Sequence, residues 1–201
     1  LSDEDWFVRL AAAQALKNFG ERARPAVPAL IGALSISDWV KDFRPVRCGE
    51  AMVTLSRVAP EVKELEVAYR MIASTMLEDE RHSSFGAKAR GARLLGDCGP
   101  AARATLPALT KLLKDADGDA RIAAAEALLK IAPGQPAEAA LAALSEALQD
   151  PSLLLRLRSA EALGGRGAQA KSVLPLLRAA LQDPEPEVRQ AAAAAIQKIA
   201  P

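Results

Sequence analysis

The sequence predicts an all-α chain folded as a row of helical hairpins, a solenoid, and three observations predict it. The pentapeptide ALQDP stands at 147–151 and again at 180–184, 33 residues apart. An aspartate followed six residues later by a cation, then by an alanine-rich stretch ending in Leu or Ile, recurs from one end to the other. All seven aromatic residues fall in the first 85 of 201 positions, so the remainder is built from Ala and Leu. Such a core is thin and suits stacked helices, and a period of 33 to 35 residues is that of a repeat array.

The elements follow in order. The motif runs Asp3…Arg9 to Leu16, Lys88 to Leu95, Asp115…Arg121 to Leu128, Asp150…Arg156 to Leu163 and Asp183…Arg189 to Ile196. Each copy reads as the first helix of a unit, with the aspartate as its cap and Pro151 or Pro184 at the first helical position. Gly20, the pairs Gly99-Pro100 and Pro133-Gly134, and Gly164-Gly165 end this helix. Second helices follow around Pro25–Leu34, Thr105–Leu113, Leu141–Leu148 and Val173–Leu181. Their apolar stripes are Val27, Leu30 and Leu34; Leu106, Leu109 and Leu113; Leu174, Leu177 and Leu181. Helices this short are marginal alone, so each must bury its stripe on its partner and on the next unit. Alanine runs such as 123–125 and 191–195 let helix axes come near the short end of the ~8–10 Å packing range.

Composition sets the outer limits. Half the residues are apolar and a quarter charged, as in an ordered globular chain. Net charge is +1; residues 1–85 carry 11 basic and 13 acidic groups, and residues 86–201 carry 15 and 12. Neither half has the charge of a nucleic-acid or membrane-surface protein. No apolar run approaches the ~20 residues that span a bilayer, and no leader is visible, so the expected location is the cytoplasm. The chain opens Leu1-Ser2-Asp3 without Met, which reads as a segment of something longer. Cys48 and Cys98, 50 residues apart, read as small buried hydrophobes rather than a disulfide or metal pair.

Asp-x5-Arg-x-Ala-Ala-x-x-Leu, a glycine break, then Ala-Val-Pro-x-Leu resembles the HEAT repeat, and is similar above all to the short bacterial HEAT-like variety of phycobilisome-lyase proteins. The resemblance covers essentially the whole chain. It implies a right-handed α-α superhelix of about five helical hairpins plus a terminal helix. The units run about 3–37, 38–78, 79–114, 115–149 and 150–182, with a half unit at 183–201. The tetratricopeptide pattern has a similar period but needs a Trp and Tyr signature in its first helix that this chain lacks. Two units depart from the formula. The second carries an insertion through Trp39 and Phe43, and Pro45 interrupts any helix begun at Asp38. The third opens on Glu78–Gly86, which holds the only histidine, His82.

The cations Arg9, Lys88, Arg121, Arg156 and Arg189 read either as a phosphate-tracking ladder, as in some HEAT-like DNA glycosylases, or as a structural ladder paired with Asp3, Asp115, Asp150 and Asp183. An acid accompanies nearly every cation, which favours the structural ladder. His82 beside Ser83 and Ser84 cannot orient a triad, since neighbouring loop residues point apart; no catalytic residue is assigned. One His and two distant Cys supply no metal site, and Gly164–Gly167 joins two helices rather than cradling phosphate. No cofactor is expected. Trp39, Phe43 and Tyr69 near Arg44, Arg47 and Arg70 are favoured as packing, with Trp39 the most exposed. In the resembling family the second helices line the concave face, which places Arg70, Ser74, Thr110, Lys111, Ser145, Glu146 and Arg178 there. Trp39, Arg70, Ser74, Lys111, Glu146 and Arg178 are the candidate partner-binding residues. The expected function is a non-enzymatic scaffold for a protein or peptide, with nucleic acid disfavoured and no membrane. The alternatives are a nucleic-acid-binding protein and a bilin-lyase or chromophore chaperone. The terminal helix exposes an alanine face, expected to be covered by continuation of the array or by weak self-association of an otherwise monomeric chain.

Overall fold

The structure, a computed structural model, describes residues 6–34, 45–78, 86–132 and 136–200. Eleven α-helices are found among them and no strand. They are α1 (Trp6–Lys17), α2 (Val27–Ala33), α3 (Pro45–Val58), α4 (Lys63–Ile72), α5 (Ala87–Cys98) and α6 (Leu106–Leu112). Then come α7 (Gly118–Ile131), α8 (Pro136–Ala147), α9 (Leu153–Gly164), α10 (Leu174–Ala180) and α11 (Pro186–Ile199). Odd-numbered helices stack on one another in chain order; α2, α6, α8 and α10 pack on the odd helix that follows them, α4 and α8 on the one before, and the segments leading into α2, α6 and α10 touch α1, α5 and α9. The result is the row of helical pairs that defines a solenoid.

Each even helix seals at least one large side chain, and α4 seals Leu65 besides. Leu30, Ile72, Leu109, Leu144 and Leu177 are all fully buried. In the odd layer the pairs Ala92 with Leu95, Ala125 with Leu128, and Ala160 with Leu163 are equally sealed. Val27, Leu106, Leu113, Leu174 and Leu181, expected in the buried stripe, lie half-buried at its edge. Leu112 and Ala180 take the covered positions instead. The short even helices explain the shift. Three of them are led in by a tight 3-10 stretch, Gly20–Ala26, Gly99–Thr105 and Gly167–Val173, which changes the angular register. Each stretch begins on a glycine with φ near +60° (52°, 66° and 52°), a conformation costly for a side chain with a Cβ.

The caps differ from expectation. Asp115, Asp150 and Asp183 do not cap helices. Each carboxylate accepts from the backbone N–H two residues on, at Asp117, Ser152 and Glu185 (2.9, 2.9 and 3.0 Å), closing an Asx turn. Those three residues, with extended backbone, are the true cap positions of α7, α9 and α11. Only Asp117 among them caps with its own side chain, accepting from the Asp119 N–H at 2.9 Å. Pro151 and Pro184 lie inside the turn rather than at the first helical position, which in α11 is held by Pro186.

Helix approach is set by glycine as well as alanine. A Cβ added to Gly96 on α5 would lie 2.9 Å from Ala127 Cα on α7, and one on Gly164 of α9 would lie 2.9 Å from Ala195 Cα on α11. The equivalent residue of α7 is Leu129, buried, and α7 meets α9 over a smaller area than α5 meets α7 or α9 meets α11. The α5–α7 and α9–α11 joints are therefore tight, where glycine stands, and the α7–α9 joint is more open, where leucine does. Buried hydroxyls clip further pairs: Thr54 donates to Ala13 O (2.9 Å), joining α3 to α1, and Ser159 donates to Leu144 O, joining α9 to α8.

Candidate binding surface

Three cations of the odd layer are each occupied by an aspartate of the following unit. Lys88 of α5 donates to Asp115 at 2.6 Å, and Arg156 of α9 donates through Nε and Nη2 to both oxygens of Asp183, at 2.8 and 3.0 Å. Arg121 of α7 reaches Asp150 only at 3.5 Å, at the same open joint where Leu129 stands. Each cation thus holds the aspartate that opens the following odd helix. Arg121, Arg156 and Arg189 also donate through Nη1 to the carbonyl of the aspartate in their own turn, at 2.9, 3.0 and 2.6 Å. Arg9 and Asp3 lie outside the described side chains. Arg158 of α9 also spans the open joint, pairing with Asp119 and, at 3.9 Å, with Glu126, while Arg93 of α5 takes the other oxygen of Asp119 at 2.8 Å across the α5–α7 joint. Burial is the main influence on Glu126, raising its pKa despite the nearby Lys130, Arg93 and Arg166. In Asp183, the Arg156 bond holds the pKa below the usual carboxylate range. At Asp115, burial opposes ionisation, but the Lys88 ammonium and the Asp117 amide outweigh it and the pKa is again lowered.

The even layer is different. Lys111, Glu146 and Arg178 stand exposed on α6, α8 and α10, and none forms an ion pair with a described residue. Arg70 on α4 is also exposed but is paired with Glu66 one turn back. The Ser74 hydroxyl donates to Met71 O at 3.2 Å and the Thr110 hydroxyl to Leu106 O at 2.8 Å, so both are partly satisfied locally. Ser145 is half-buried, and Trp39 lies outside the described residues. Val67 shares the Arg70 and Ser74 face and is 45% exposed. The sequence analysis does not single it out, although its i, i+3, i+7 spacing with Arg70 and Ser74 was an available signal.

The remaining polar groups do not assemble a reactive centre. An open cleft of about 560 Å³ is lined by Ser56, Arg57, Asp97, Cys98, Pro100 and Lys130. Ser56 is bonded to the Tyr69 hydroxyl and to Met52 O, both at 2.6 Å, and Lys130 is paired with Asp97 at 2.9 Å. Burial pushes the Cys98 thiol up to about 12 and raises Tyr69 as well, so both stay protonated and weakly nucleophilic. Tyr69 is thus a packing residue, 2% exposed; Phe43 and Arg44 lie outside the described residues, as do His82, Ser83 and Ser84. Among the described residues no group of three or more His, Cys, Asp or Glu is placed to hold a metal ion, and no helix is long and apolar enough to cross a membrane.

Comparison with known proteins completes the picture. Sequence models of the HEAT repeat match residues 76–164, 141–201 and 1–23. No curated protein sequence matches the chain. Among solved structures the chain is similar to an engineered protein from a structural genomics consortium. That match has 19% identity and a TM-score of 0.54, and covers 99% of this chain and 93% of that one. It is also similar to a computationally designed armadillo repeat protein for modular peptide recognition, at 19% identity and TM-score 0.50, covering 94% and 92%. Human deoxyhypusine hydroxylase matches at 18% identity and TM-score 0.46, covering 98% and 81%. These likenesses are of fold alone.

Proposed function

Because the chain belongs to the HEAT-repeat family, we propose that it is a non-enzymatic scaffold holding a protein or peptide partner along its layer of even-numbered helices. The supporting observation is the contrast between the two layers. Lys88, Arg121 and Arg156 of the odd layer are held by aspartates of neighbouring units, whereas Lys111, Glu146 and Arg178 of the even layer are exposed and form no ion pair with a described residue. Charges left free on a rigid surface orient and select a partner more than they hold it. The matching partner carries acids that meet Lys111 and Arg178 and a base that meets Glu146. Apolar contact comes from small exposed residues such as Val67, Ala142 and Ala179. A surface of this low relief suits an extended segment or a flat domain face.

Nucleic acid fits less well. A strand-tracking ladder needs cations free to neutralise phosphates, and Lys88, Arg121 and Arg156 are already occupied by Asp115, Asp150 and Asp183.

The test compares the parent chain with a Lys111→Glu/Arg178→Glu double variant as baits in the native host, with the captured proteins quantified. A partner retained by the parent and lost at least tenfold by the variant supports the reading. Identical profiles, or no reproducible partner, refute it. A labelled duplex DNA titrated at low and moderate salt is the second arm; tight binding that falls steeply with salt would replace this reading with a nucleic-acid one.

A further inference from the structure

Two large apolar side chains that face solvent, Leu153 and Leu154, stand together in the first turn of α9, at 40% and 57% exposure. Leu157, one turn further on the same side of the helix, is half-buried. Both odd neighbours of α9 are in place, α7 before it and α11 after it, and neither seals these leucines. Leu157 also forms one wall of an open groove of about 470 Å³ between α9 and α11. Ala160, Gly164 and Ala195 are its buried lining, and Ala191 and Ala194 of α11 stand opposite.

The same strip of the α5–α7 joint is closed. Counted from the cation of each helix, Ala89 and Ile122 hold the places of Leu157 and Gln190, and they are 0% and 1% exposed. Arg93 is bonded across that joint to Asp119 at 2.8 Å. Between α9 and α11 the place of Arg93 is held by Glu161 and that of Asp119 by Glu187. Two carboxylates repel where a guanidinium and a carboxylate bridge. Glu161 and Glu187 are both exposed, and neither forms an ion pair with a described residue. Arg158, one turn before Glu161, is taken by Asp119 and Glu126 of α7. At the far end of the groove Lys198 repeats Lys130, which pairs back to Asp97 at 2.9 Å. Gly165 stands in the place of Asp97, so the preceding helix offers Lys198 no carboxylate there.

We propose that this groove is a second interaction surface, on the odd layer, which receives a basic amphipathic segment of a partner protein. The apolar side chains of the segment lie on Leu153, Leu154 and Leu157, and an arginine or lysine enters between Glu161 and Glu187. Charge sets the occupant. The groove carries two acids where the chain's own joint carries a base and an acid, so the group it lacks is a cation. The small side chains of Ala191 and Ala194 leave room for the apolar stem of that cation to lie along the groove while its head meets the carboxylates. Lys198 takes an acid from the other end of the segment and so fixes its direction. A groove this short holds its partner weakly, beside the ~1,200–2,000 Å² of stable interfaces.

The probe is a labelled peptide of about 14 residues, about 20 Å long as a helix, with leucines at helical spacing and arginines between them. A control peptide carries glutamate in place of each arginine. Titrated into the whole chain, the arginine peptide should bind with a Kd on the order of 10–100 µM and the glutamate peptide at least roughly tenfold more weakly. Leu154→Ser should weaken the arginine peptide roughly tenfold. Glu161→Arg/Glu187→Arg should turn the preference toward the glutamate peptide. Lys111→Glu/Arg178→Glu, on the even layer, should leave it unchanged, which separates this surface from the one proposed above. All the substituted side chains are exposed, so the variants should melt as the parent does. No binding, equal binding of the two peptides, or a preference untouched by the Glu161 and Glu187 reversal would overturn the proposal. So would self-association of the parent that Leu154→Ser abolishes, which would assign the groove to a second copy. Backbone shift changes in the parent should fall on α9 and α11; changes on α6 and α8 instead would sink the proposal whether or not a variant folds.

Discussion

Arg156 holds both carboxylate oxygens of Asp183, Nε to Oδ2 at 2.8 Å and Nη2 to Oδ1 at 3.0 Å, while the Asp183 carbonyl accepts from Arg189 at 2.6 Å. One aspartate therefore ties the first helix of one pair to the start of the next pair. Both side chains of the pair are largely covered, at 13% and 7% exposure. A bidentate geometry of this kind fixes orientation as well as distance, and so fixes the rotation between units.

That arrangement predicts how stability depends on pH. Asp183 and Asp115 have folded pKa values below their ordinary one near 3.8. Their contribution is fully present above that value and is lost as pH falls through the lower folded values. Glu126 has the opposite sign: its raised pKa means its favourable contribution exists below the ordinary Glu range and is lost as pH rises through the folded value. Thermal unfolding should show a drop in melting temperature below about pH 4, smaller in an Asp183→Asn variant, which starts from a lower plateau. A Glu126→Gln variant should gain on the parent as pH rises from 4 to neutral, by on the order of 1 kcal/mol or less. Equal pH profiles for parent and Asp183→Asn would show that the carboxylate contributes nothing to the joint.

Two glycines separate packing from propensity. Replacing Gly by Ala in a helix stabilises by about 0.5–1 kcal/mol when nothing stands in the way. Gly32 on α2 is exposed with nothing within 4 Å of an added Cβ, so Gly32→Ala should stabilise by about that amount. Gly164→Ala would push a methyl group against the backbone of Ala195, and it should destabilise by roughly 1–3 kcal/mol despite the better propensity. Urea denaturation of the two single variants gives the comparison, and a stabilised Gly164→Ala would mean the α9–α11 joint yields freely.

The buried thiol reports on opening of the same array. Cys98 is 4% exposed, and its pKa near 12 leaves little thiolate at neutral pH. In a Cys48→Ala background, labelling by an aromatic disulfide at pH 8 should follow the unfolding equilibrium and speed up with denaturant. Complete labelling within seconds in buffer alone would place the thiol at the surface of the nearby cleft instead.

The repeat, the all-helical class and the anchoring leucines were legible because the period is written in residue types: an aspartate, a cation six places on, and alanines between. Leu30, Leu109 and Leu177 stood in the stripes that spacing marks, but Val27, Leu106 and Leu174 of the same stripes lie at the edge, since spacing marks a face and not its depth. The aspartates were legible as helix openers but not as Asx turns two residues ahead of the true caps. A carboxylate serves either geometry, and only the backbone angles of Asp117, Ser152 and Glu185 distinguish them.

What the sequence by itself determined is therefore the architecture, because each short helix has one apolar stripe and must find an identical neighbour to cover it. Only the tertiary structure decided which charges are occupied and which are free. Arg156 and Arg178 look alike in the chain, yet one is gripped by Asp183 and the other stands in solvent on α10. It also decided that the joints differ. Gly96, Leu129 and Gly164 hold one register position, and their meaning comes from how near the next helix lies, a distance that no single helix encodes.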